Sequence, residues 1–272
     1  MKRILVRSLY IALILGLASC TSGPKPSSTP GADDAFKRND YETAFALYMT
    51  EAEKGNPEAQ FRVGYMYSSG KGTAKDQGKA IEWLTRSGGS GYAMAQYNLG
   101  LIYGNGLGVE KNPGEAARWY KMAADQDLVD AQINLAIQLY KGDGVQKNPS
   151  AAAELFDKAA EKGNERAQTT LGMMLFKGDG VAQDYKRAHD LFKAAAKQGN
   201  PFAQHYLGIM YAKGTGVTQS RSEAIYWYHE AGLTYMKLGM KDKAVAMAET
   251  IGAVSKDSPA YMDLAEKLGI VK

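Results

Sequence analysis

Residues 95–108 read AQYNLGLIYGNGLG, and this stretch contains the pattern that decides the fold. Its Ala-Gln pair occurs five times in the chain, at a constant spacing of 36 residues. The five pairs are Ala59-Gln60, Ala95-Gln96, Ala131-Gln132, Ala167-Gln168 and Ala203-Gln204. A fixed period of this length indicates a repeat protein, in which each unit buries its apolar surface against its neighbours.

Each Ala-Gln pair begins a helical pattern that we name helix A. Apolar residues follow the Ala after four and eight positions, which is the spacing of one helix face. They are Val63, Leu99, Leu135, Leu171 and Leu207, then Tyr67, Tyr103, Leu139, Leu175 and Tyr211. A Gly-x-Gly sequence then ends helix A in every copy, because glycine readily adopts the left-handed conformation of a helix C-terminus.

A second helical pattern, helix B, follows each Gly-x-Gly sequence. Its first residue in each copy is of a type that caps helix N-termini, namely Asp76, Asn112, Asn148, Asp184 and Ser220. Helix B also carries Trp83, Trp119 and Trp227 at one repeat position, and we interpret them as core residues. Glycine on helix A and alanine on helix B predict a close approach of the two helices.

This pattern resembles the Sel1-like repeat family, relatives of the tetratricopeptide repeats, over residues 57–236. The resemblance implies an all-α fold, a right-handed superhelical α/α solenoid of helix-turn-helix repeats with a 36-residue period. Residues 33–56 are predicted to form an N-terminal capping half-repeat. Residues 237–272 are predicted to form a C-terminal cap of two helices, near 241–253 and 258–268, because an open solenoid end exposes apolar surface.

The N-terminus reads as a targeting signal. Residues 1–19 have a basic head, an apolar run too short to span a bilayer, and small residues before Cys20, as in secretory signal peptides. Leu17-Ala18-Ser19-Cys20 resembles the bacterial lipobox, which implies lipidation of Cys20. Residues 20–32 are then a lipidated Cys and flexible tether. The prediction is a lipid-anchored protein of the bacterial cell envelope, at the outer membrane and facing the periplasm.

Composition excludes several classes of site. Removal of residues 1–19 lowers the number of basic residues from 33 to 30 and leaves all 29 acidic residues. The mature chain therefore has almost no excess of positive charge, so nucleic acid is not an expected partner. One Cys and three His without ligand spacing predict no metal site. No phosphate-binding loop and no nucleophile elbow occur, so we expect no cofactor, no small-molecule substrate and no enzyme activity.

Candidate binding residues are those that vary while the repeat frame stays constant. In tetratricopeptide arrays such helix A residues line the concave surface, and the resemblance implies the same here. Asn98 and Asn134 share one repeat position, where stacked amides can bond a peptide backbone. Lys141, Lys177 and Lys213 form a row that can attract a carboxylate. The other predicted contact residues are Tyr97, Leu101, Ile133, Ile137, Tyr140, Thr170, Met173, Phe176 and Tyr206.

Three functions remain open at this point. The leading hypothesis is a non-catalytic scaffold or adaptor that binds a protein or peptide partner in the envelope, with the acyl chains on Cys20 in the membrane. A second is an envelope enzyme acting on β-lactams or peptidoglycan, as described for cysteine-rich relatives. Those relatives carry a Cys pair in each repeat, which this chain lacks. A third is an assembly factor for a secretion or polysaccharide export machine.

Overall fold

The computed structural model of the protein describes residues 28–270, and this part of the chain contains fourteen α-helices and no strand. The helices are α1 (Pro30–Lys37), α2 (Tyr41–Glu53), α3 (Pro57–Ser69), α4 (Gln77–Gly89), α5 (Ala93–Asn105), α6 (Pro113–Ala124), α7 (Val129–Lys141), α8 (Pro149–Glu161), α9 (Glu165–Lys177), α10 (Tyr185–Lys197), α11 (Pro201–Lys213), α12 (Arg221–Lys237), α13 (Lys241–Val254) and α14 (Pro259–Leu268). The predicted all-α repeat fold is confirmed. Helix A of the five copies is α3, α5, α7, α9 and α11, and helix B is α4, α6, α8, α10 and α12.

Local capping explains where the helices begin and end. All five predicted N-caps of helix B accept a hydrogen bond from a backbone amide of the first turn, for example Asp76 from Lys79 N at 2.9 Å. The first glycine of each Gly-x-Gly sequence adopts a left-handed conformation after helix A, with φ values of 72° at Gly70 and 71° at Gly106. A residue with a Cβ is strained in that conformation, so the chain turns at this glycine.

The second glycine of the Gly-x-Gly sequence has a different role, which the sequence did not indicate. In four of the five copies it lies against the first residue of the helix that precedes helix A, at Gly72, Gly108, Gly180 and Gly216. A Cβ built on Gly108 would lie 2.4 Å from Cγ of Gln77, and one on Gly180 would lie 2.4 Å from Cβ of Pro149. The loop between helices A and B is therefore held against the neighbouring repeat.

The glutamine of the Ala-Gln pair also joins consecutive repeats. Its side-chain amide donates to a backbone carbonyl near the end of the preceding helix B, from Gln96 to Gly88 at 2.9 Å and from Gln168 to Ala160 at 3.2 Å. Gln96 is only 2% exposed. Because a buried polar group without a partner is costly, this bond favours one arrangement of the two helices.

The chain divides into two compact units, Met1–Ala131 and Gln132–Lys272. Within each unit, helices that follow one another in the chain pack together, and α12 contacts both α13 and α14. The core of the first unit includes Tyr48, Leu84, Leu99 and Trp119, all buried. The C-terminal part of the second unit has its own core, which includes Tyr228, Tyr235, Ile251 and Leu264.

The N-terminal cap differs from its prediction. Helix α1 begins at Pro30, inside the predicted tether 20–32, and Ala32 is 3% exposed. Ala32 and Ala35 pack with α2 around Tyr48, whose hydroxyl donates to the Asp33 carboxylate. The boundary at residue 32 is therefore wrong: the cap is a hairpin of α1 and α2, because alanines three residues apart give α1 a face that can be buried.

The other terminal predictions have mixed outcomes. Helices α13 and α14 lie at the predicted positions. The predicted signal peptide 1–19, Cys20 and tether residues 21–27 lie outside the described residues.

Candidate functional site

Helix geometry places three residues of each helix A on one face, those three, six and ten positions after the Ala of the Ala-Gln pair. In the second unit these residues are Asn134, Ile137 and Lys141 on α7, Thr170, Met173 and Lys177 on α9, and Tyr206, Ile209 and Lys213 on α11. We call these nine residues the helix A face. In each helix the first two residues are half-buried and the lysine is exposed.

Two further residues extend the helix A face. Arg166 and Phe202 directly precede the Ala of the Ala-Gln pair, so they lie one turn before Thr170 and Tyr206 on the same side of the helix. Arg166 is exposed, and Phe202 is 41% exposed. The sequence prediction missed both residues, although the position before the Ala varies freely among the copies and in this respect matches the residues that were selected.

Aromatic rings pack together between α9, α10 and α11. The centroid of the Phe176 ring lies 5.6 Å from that of Tyr206 in an edge-to-face arrangement. Tyr206 stacks in turn on the buried Phe192 of α10, with centroids 4.8 Å apart and an interplanar angle of 13°. These geometries are the favourable ones for aromatic pairs. Phe176 and Tyr206, selected independently from the sequence, therefore lie together and have little rotational freedom.

Tyr140 on α7 is anchored by a carboxylate from the next loop. Its hydroxyl donates to Asp179 at 2.5 Å. This hydrogen bond raises the pKa of Tyr140, with smaller contributions from burial and from the negative charge of Asp179. The bond ties the end of α7 to the loop between α9 and α10.

Three predicted contact residues are buried, and for these the prediction is wrong. Tyr97, Asn98 and Ile133 are 7%, 2% and 4% exposed. The Asn98 amide donates to the backbone carbonyl of Met94 at 2.9 Å, and the Tyr97 ring lies 6.0 Å from that of Tyr120. The physical reason is that α5 packs against both α4 and α6, so the buried arc of helix A is wider than the positions with constant sequence.

The remaining predicted contact residues stay accessible. Leu101 is half-buried in the first unit, and Asn134, Ile137, Tyr140, Thr170, Met173, Phe176 and Tyr206 are half-buried in the second. Lys141, Lys177 and Lys213 are exposed. The Thr170 hydroxyl donates to the carbonyl of Arg166 at 2.8 Å, so it is already partnered. For these residues a contact with a ligand stays a prediction.

Residues 28–270 contain no group of three or more His, Cys, Asp or Glu side chains that could hold a metal ion. A shallow pocket is lined by Met236, Gly239, Lys241, Lys267 and Leu268 at the C-terminal end, away from the helix A face in sequence. None of the helices in the described part of the chain is long and apolar enough to cross a bilayer. The helix A face thus has the chemistry of a binding surface: half-buried apolar and polar groups beside exposed ammonium groups.

Comparison with known proteins gives a consistent result. A family model described as Sel1 repeat matches residues 57–92, 93–128, 129–164, 166–200 and 201–233. The chain resembles the solved structure of a Sel1 repeat protein from Oxalobacter formigenes, with a TM-score of 0.74 and 32% identity, covering 88% of this chain and 98% of that one.

Two further similarities extend over smaller parts of the other protein. A protective antigen of uropathogenic Escherichia coli strains, described as displaying an SLR fold, has a TM-score of 0.77 and 28% identity, covering 89% of this chain and 54% of that one. The chitin synthase regulator SKT5 of Saccharomyces cerevisiae is 37% identical over 60 residues, which is 22% of this chain and 8% of the regulator. The chain spans about a tenth of the length of the curated relatives it matches, at 8% and 11%.

Proposed function

The chain belongs to the Sel1 repeat family, and from this premise we propose that it is a non-catalytic adaptor that docks a protein or peptide on its helix A face in the bacterial cell envelope. Sel1 repeat proteins are generally scaffolds for protein interactions. The fold is typically non-enzymatic, and the yeast relative is named as a regulator of an enzyme. A preformed repeat surface loses little conformational entropy when a partner binds, which favours recognition without a lid or a closing loop.

The observation that carries this proposal is the exposure pattern of the helix A face. Ile137, Met173 and Ile209 occupy one position in three successive copies and remain half-buried, beside lysines that are exposed. Much of each of these side chains is already buried by the protein, and the remainder stays in contact with water. A partner that covers them gains the remaining burial.

Site-specific photocrosslinking in cells tests the docking surface. A benzophenone amino acid replaces Met173 or Tyr206 on the helix A face, and Lys158 or Lys193 on helix B as matched controls in the same unit. We expect one and the same crosslinked protein at both helix A positions and at neither helix B position. Equal capture at all four positions, or capture at helix B alone, would contradict the proposal.

The envelope location is part of the same proposal and has its own test. Cys20 follows the lipobox-like Leu17-Ala18-Ser19. Cys20 would be the amino-terminal residue of the mature protein, and acyl chains on it would attach the protein to a membrane without a transmembrane helix. Replacement of Cys20 by Ala should move the protein from the membrane pellet to the soluble fraction. An unchanged pellet fraction after a carbonate wash would contradict lipid anchoring.

The enzymatic alternative and the assembly-factor alternative are separated by different experiments. Purified chain without residues 1–19 is incubated with a chromogenic β-lactam. Turnover that survives repurification and is lost on one side-chain replacement would favour an enzyme. The assembly-factor alternative differs only in the identity of the crosslinked partner, which would be a component of a secretion or polysaccharide export machine.

A further inference from the structure

The helix A face and its extension carry mostly positive charge. The equivalent segments 130–141, 166–177 and 202–213 contain one carboxylate, the exposed Asp130, and four cationic residues, Lys141, Arg166, Lys177 and Lys213. All four are exposed. None forms an ion pair with a carboxylate of residues 28–270. Four unpaired cations against one carboxylate leave this surface with a net positive charge.

Other carboxylates near these cations in sequence are Glu165, directly before Arg166, and those in the loops that follow α7 and α9. Asp143 is exposed in the first loop, two residues after Lys141. Asp179 follows Lys177 by two residues, and it accepts the hydrogen bond of Tyr140. The third loop has Thr215 at the same position, so no carboxylate follows Lys213 there.

The helices B of the same unit differ from one another in charge. Helix α8 carries three carboxylates, Glu154, Asp157 and Glu161, and one lysine, Lys158. Asp157 pairs with Arg187 of the neighbouring helix B at 2.5 Å. Helix α10 is more basic, with Lys186, Arg187, Lys193 and Lys197 against Asp190. Positive charge is therefore shared by the helix A face and α10, and the lysines of helix B provide a control of equal charge.

Apolar groups lie between these cations. On each helix A the half-buried Ile137, Met173 or Ile209 lies one turn before the lysine, and the 41% exposed Phe202 lies near Tyr206. A ligand that matched this surface would bring carboxylates and apolar side chains together. A peptide does so, whereas a nucleic acid or a charged polysaccharide offers anions without aliphatic side chains.

On these grounds, which rest on the proposed docking function, we propose that the partner binds the helix A face through an acidic peptide segment in which carboxylate side chains alternate with apolar ones. The carboxylates lie near Lys141, Arg166, Lys177 and Lys213, and the apolar side chains cover Ile137, Met173 and Ile209. Since these cations are exposed, salt weakens the attraction, and the Debye length is about 8 Å at 0.15 M salt.

Fluorescence anisotropy with the purified full-length protein tests the charge requirement. The probes are three labelled twelve-residue peptides, made of Glu-Glu-Leu-Gly, Gln-Gln-Leu-Gly or Lys-Lys-Leu-Gly repeated three times, and a labelled twelve-residue oligothymidylate. We expect the Glu peptide alone to bind, with an affinity that falls as salt rises. Binding of the Gln peptide or of the oligothymidylate equal to that of the Glu peptide would overturn the proposal, as would no binding of the Glu peptide.

A pair of triple variants locates the binding. Lys141, Lys177 and Lys213 are changed to Gln in one protein, and the exposed helix B residues Lys158, Lys193 and Lys197 are changed to Gln in the other. The net charge changes equally in both. We expect the first variant to bind the Glu peptide about tenfold more weakly, since three exposed ion pairs of ordinary strength are lost, and the second to bind within about twofold of the parent. Equal losses would overturn the proposal.

The same variants distinguish this inference from the proposed function. If crosslinking at Met173 still captures the partner from cells when Lys141, Lys177 and Lys213 are all Gln, the acidic-peptide inference fails and docking on the helix A face stands. If crosslinking at the helix A face captures nothing in the parent protein, the proposed function itself fails.

Discussion

The phenol ring of Tyr120 covers Gly100 so closely that a Cβ built on Gly100 would lie 2.4 Å from its Cδ1 and Cε1 atoms. Real Cβ atoms do not approach other carbons to this distance, so only glycine permits the contact. The same relation joins the helix A glycine of other copies to the residue twenty positions later, in the pairs Gly64–Leu84, Gly172–Phe192 and Gly208–Tyr228. The absent side chain thus sets the distance between helices A and B of one repeat.

We predict that Gly100→Ala destabilises the protein by about 1–3 kcal/mol, as overpacking of a close contact does. Gly104 in the same helix is the matched control, because a Cβ there would lie 3.5 Å from Cβ of Ala116, an ordinary contact. Gly104→Ala should stabilise by about 0.5–1 kcal/mol, since alanine loses less backbone entropy in a helix. Chemical denaturation of both variants measures the difference. Equal effects would mean that Tyr120 moves aside freely.

These glycines illustrate what the sequence could and could not predict. Periodicity identified the repeat, the helix ends and the N-caps, because each depends on local chemistry at a fixed spacing. The sequence pattern paired the glycine of helix A with the alanine of helix B. In most copies the structure instead places this glycine under the large residue four positions after that alanine. That contact depends on a side-chain rotamer, which periodicity does not contain.

The candidate site was predicted less well than the fold, for a related reason. Positions that vary among copies were interpreted as exposed, but Tyr97 and Ile133 are buried. A helix with neighbours on two sides buries residues whose identity differs from copy to copy, since each neighbour supplies a complementary shape. Arg166 and Phe202 were missed because they directly precede the Ala-Gln pair, which is the first constant feature of each copy.

The buried glutamines provide a second stability prediction. Gln96 donates to the carbonyl of Gly88 and accepts from the Gln126 amide at 2.7 Å, so Gln96→Leu removes two hydrogen bonds. The Gly88 carbonyl still accepts from Gly91 N at 3.0 Å, and the Gln126 amide still donates to the carbonyl of Met122. We expect a loss of about 1–3 kcal/mol, from about 0.5–1.5 kcal/mol for each hydrogen bond.

Gln204 offers the comparison for this prediction. It makes only the longer bond to the Ala196 carbonyl, at 3.4 Å, and its own carbonyl oxygen is without a partner in the described structure. Gln204→Leu should therefore cost clearly less than Gln96→Leu in the same denaturation assay. A larger loss at Gln204 than at Gln96 would show that the shape of the side chain, and not its hydrogen bonds, is the reason for glutamine at this repeat position.

Stability should depend on pH through His205. Burial lowers the pKa of this imidazole, so the folded state binds a proton less readily than the unfolded chain. The unfolded state therefore takes up more protons as the pH falls, and stability present above about pH 6.5 is lost as the pH falls below it. The midpoint temperature of unfolding between pH 7.5 and 5.0 measures this, and His205→Gln should flatten that part of the profile. An unchanged slope in the variant would assign the pH dependence to other groups.

Lys71 should hold the N-terminal hairpin in place. Its ammonium lies 4.8, 5.2 and 5.9 Å from the ring centroids of Tyr41, Phe36 and Tyr65, which belong to α2, α1 and α3. Attraction of a cation to aromatic faces contributes about 0.5–1 kcal/mol at exposed sites and more where water is excluded. Lys71→Met keeps an unbranched apolar stem and removes the charge, so the loss measures the ammonium itself.

We expect Lys71→Met to destabilise the protein by about 1 kcal/mol and to speed amide exchange in residues 30–37 of α1 more than in α5. Lys54→Met is the control, because Lys54 makes only an exposed ion pair with Glu51 at 2.8 Å, and such pairs contribute about 0–1 kcal/mol. If exchange in α1 were the same in both variants, the rings and not the cation would hold the hairpin. In that case Phe36→Leu, which removes the α1 ring and leaves Lys71 intact, should release α1 instead.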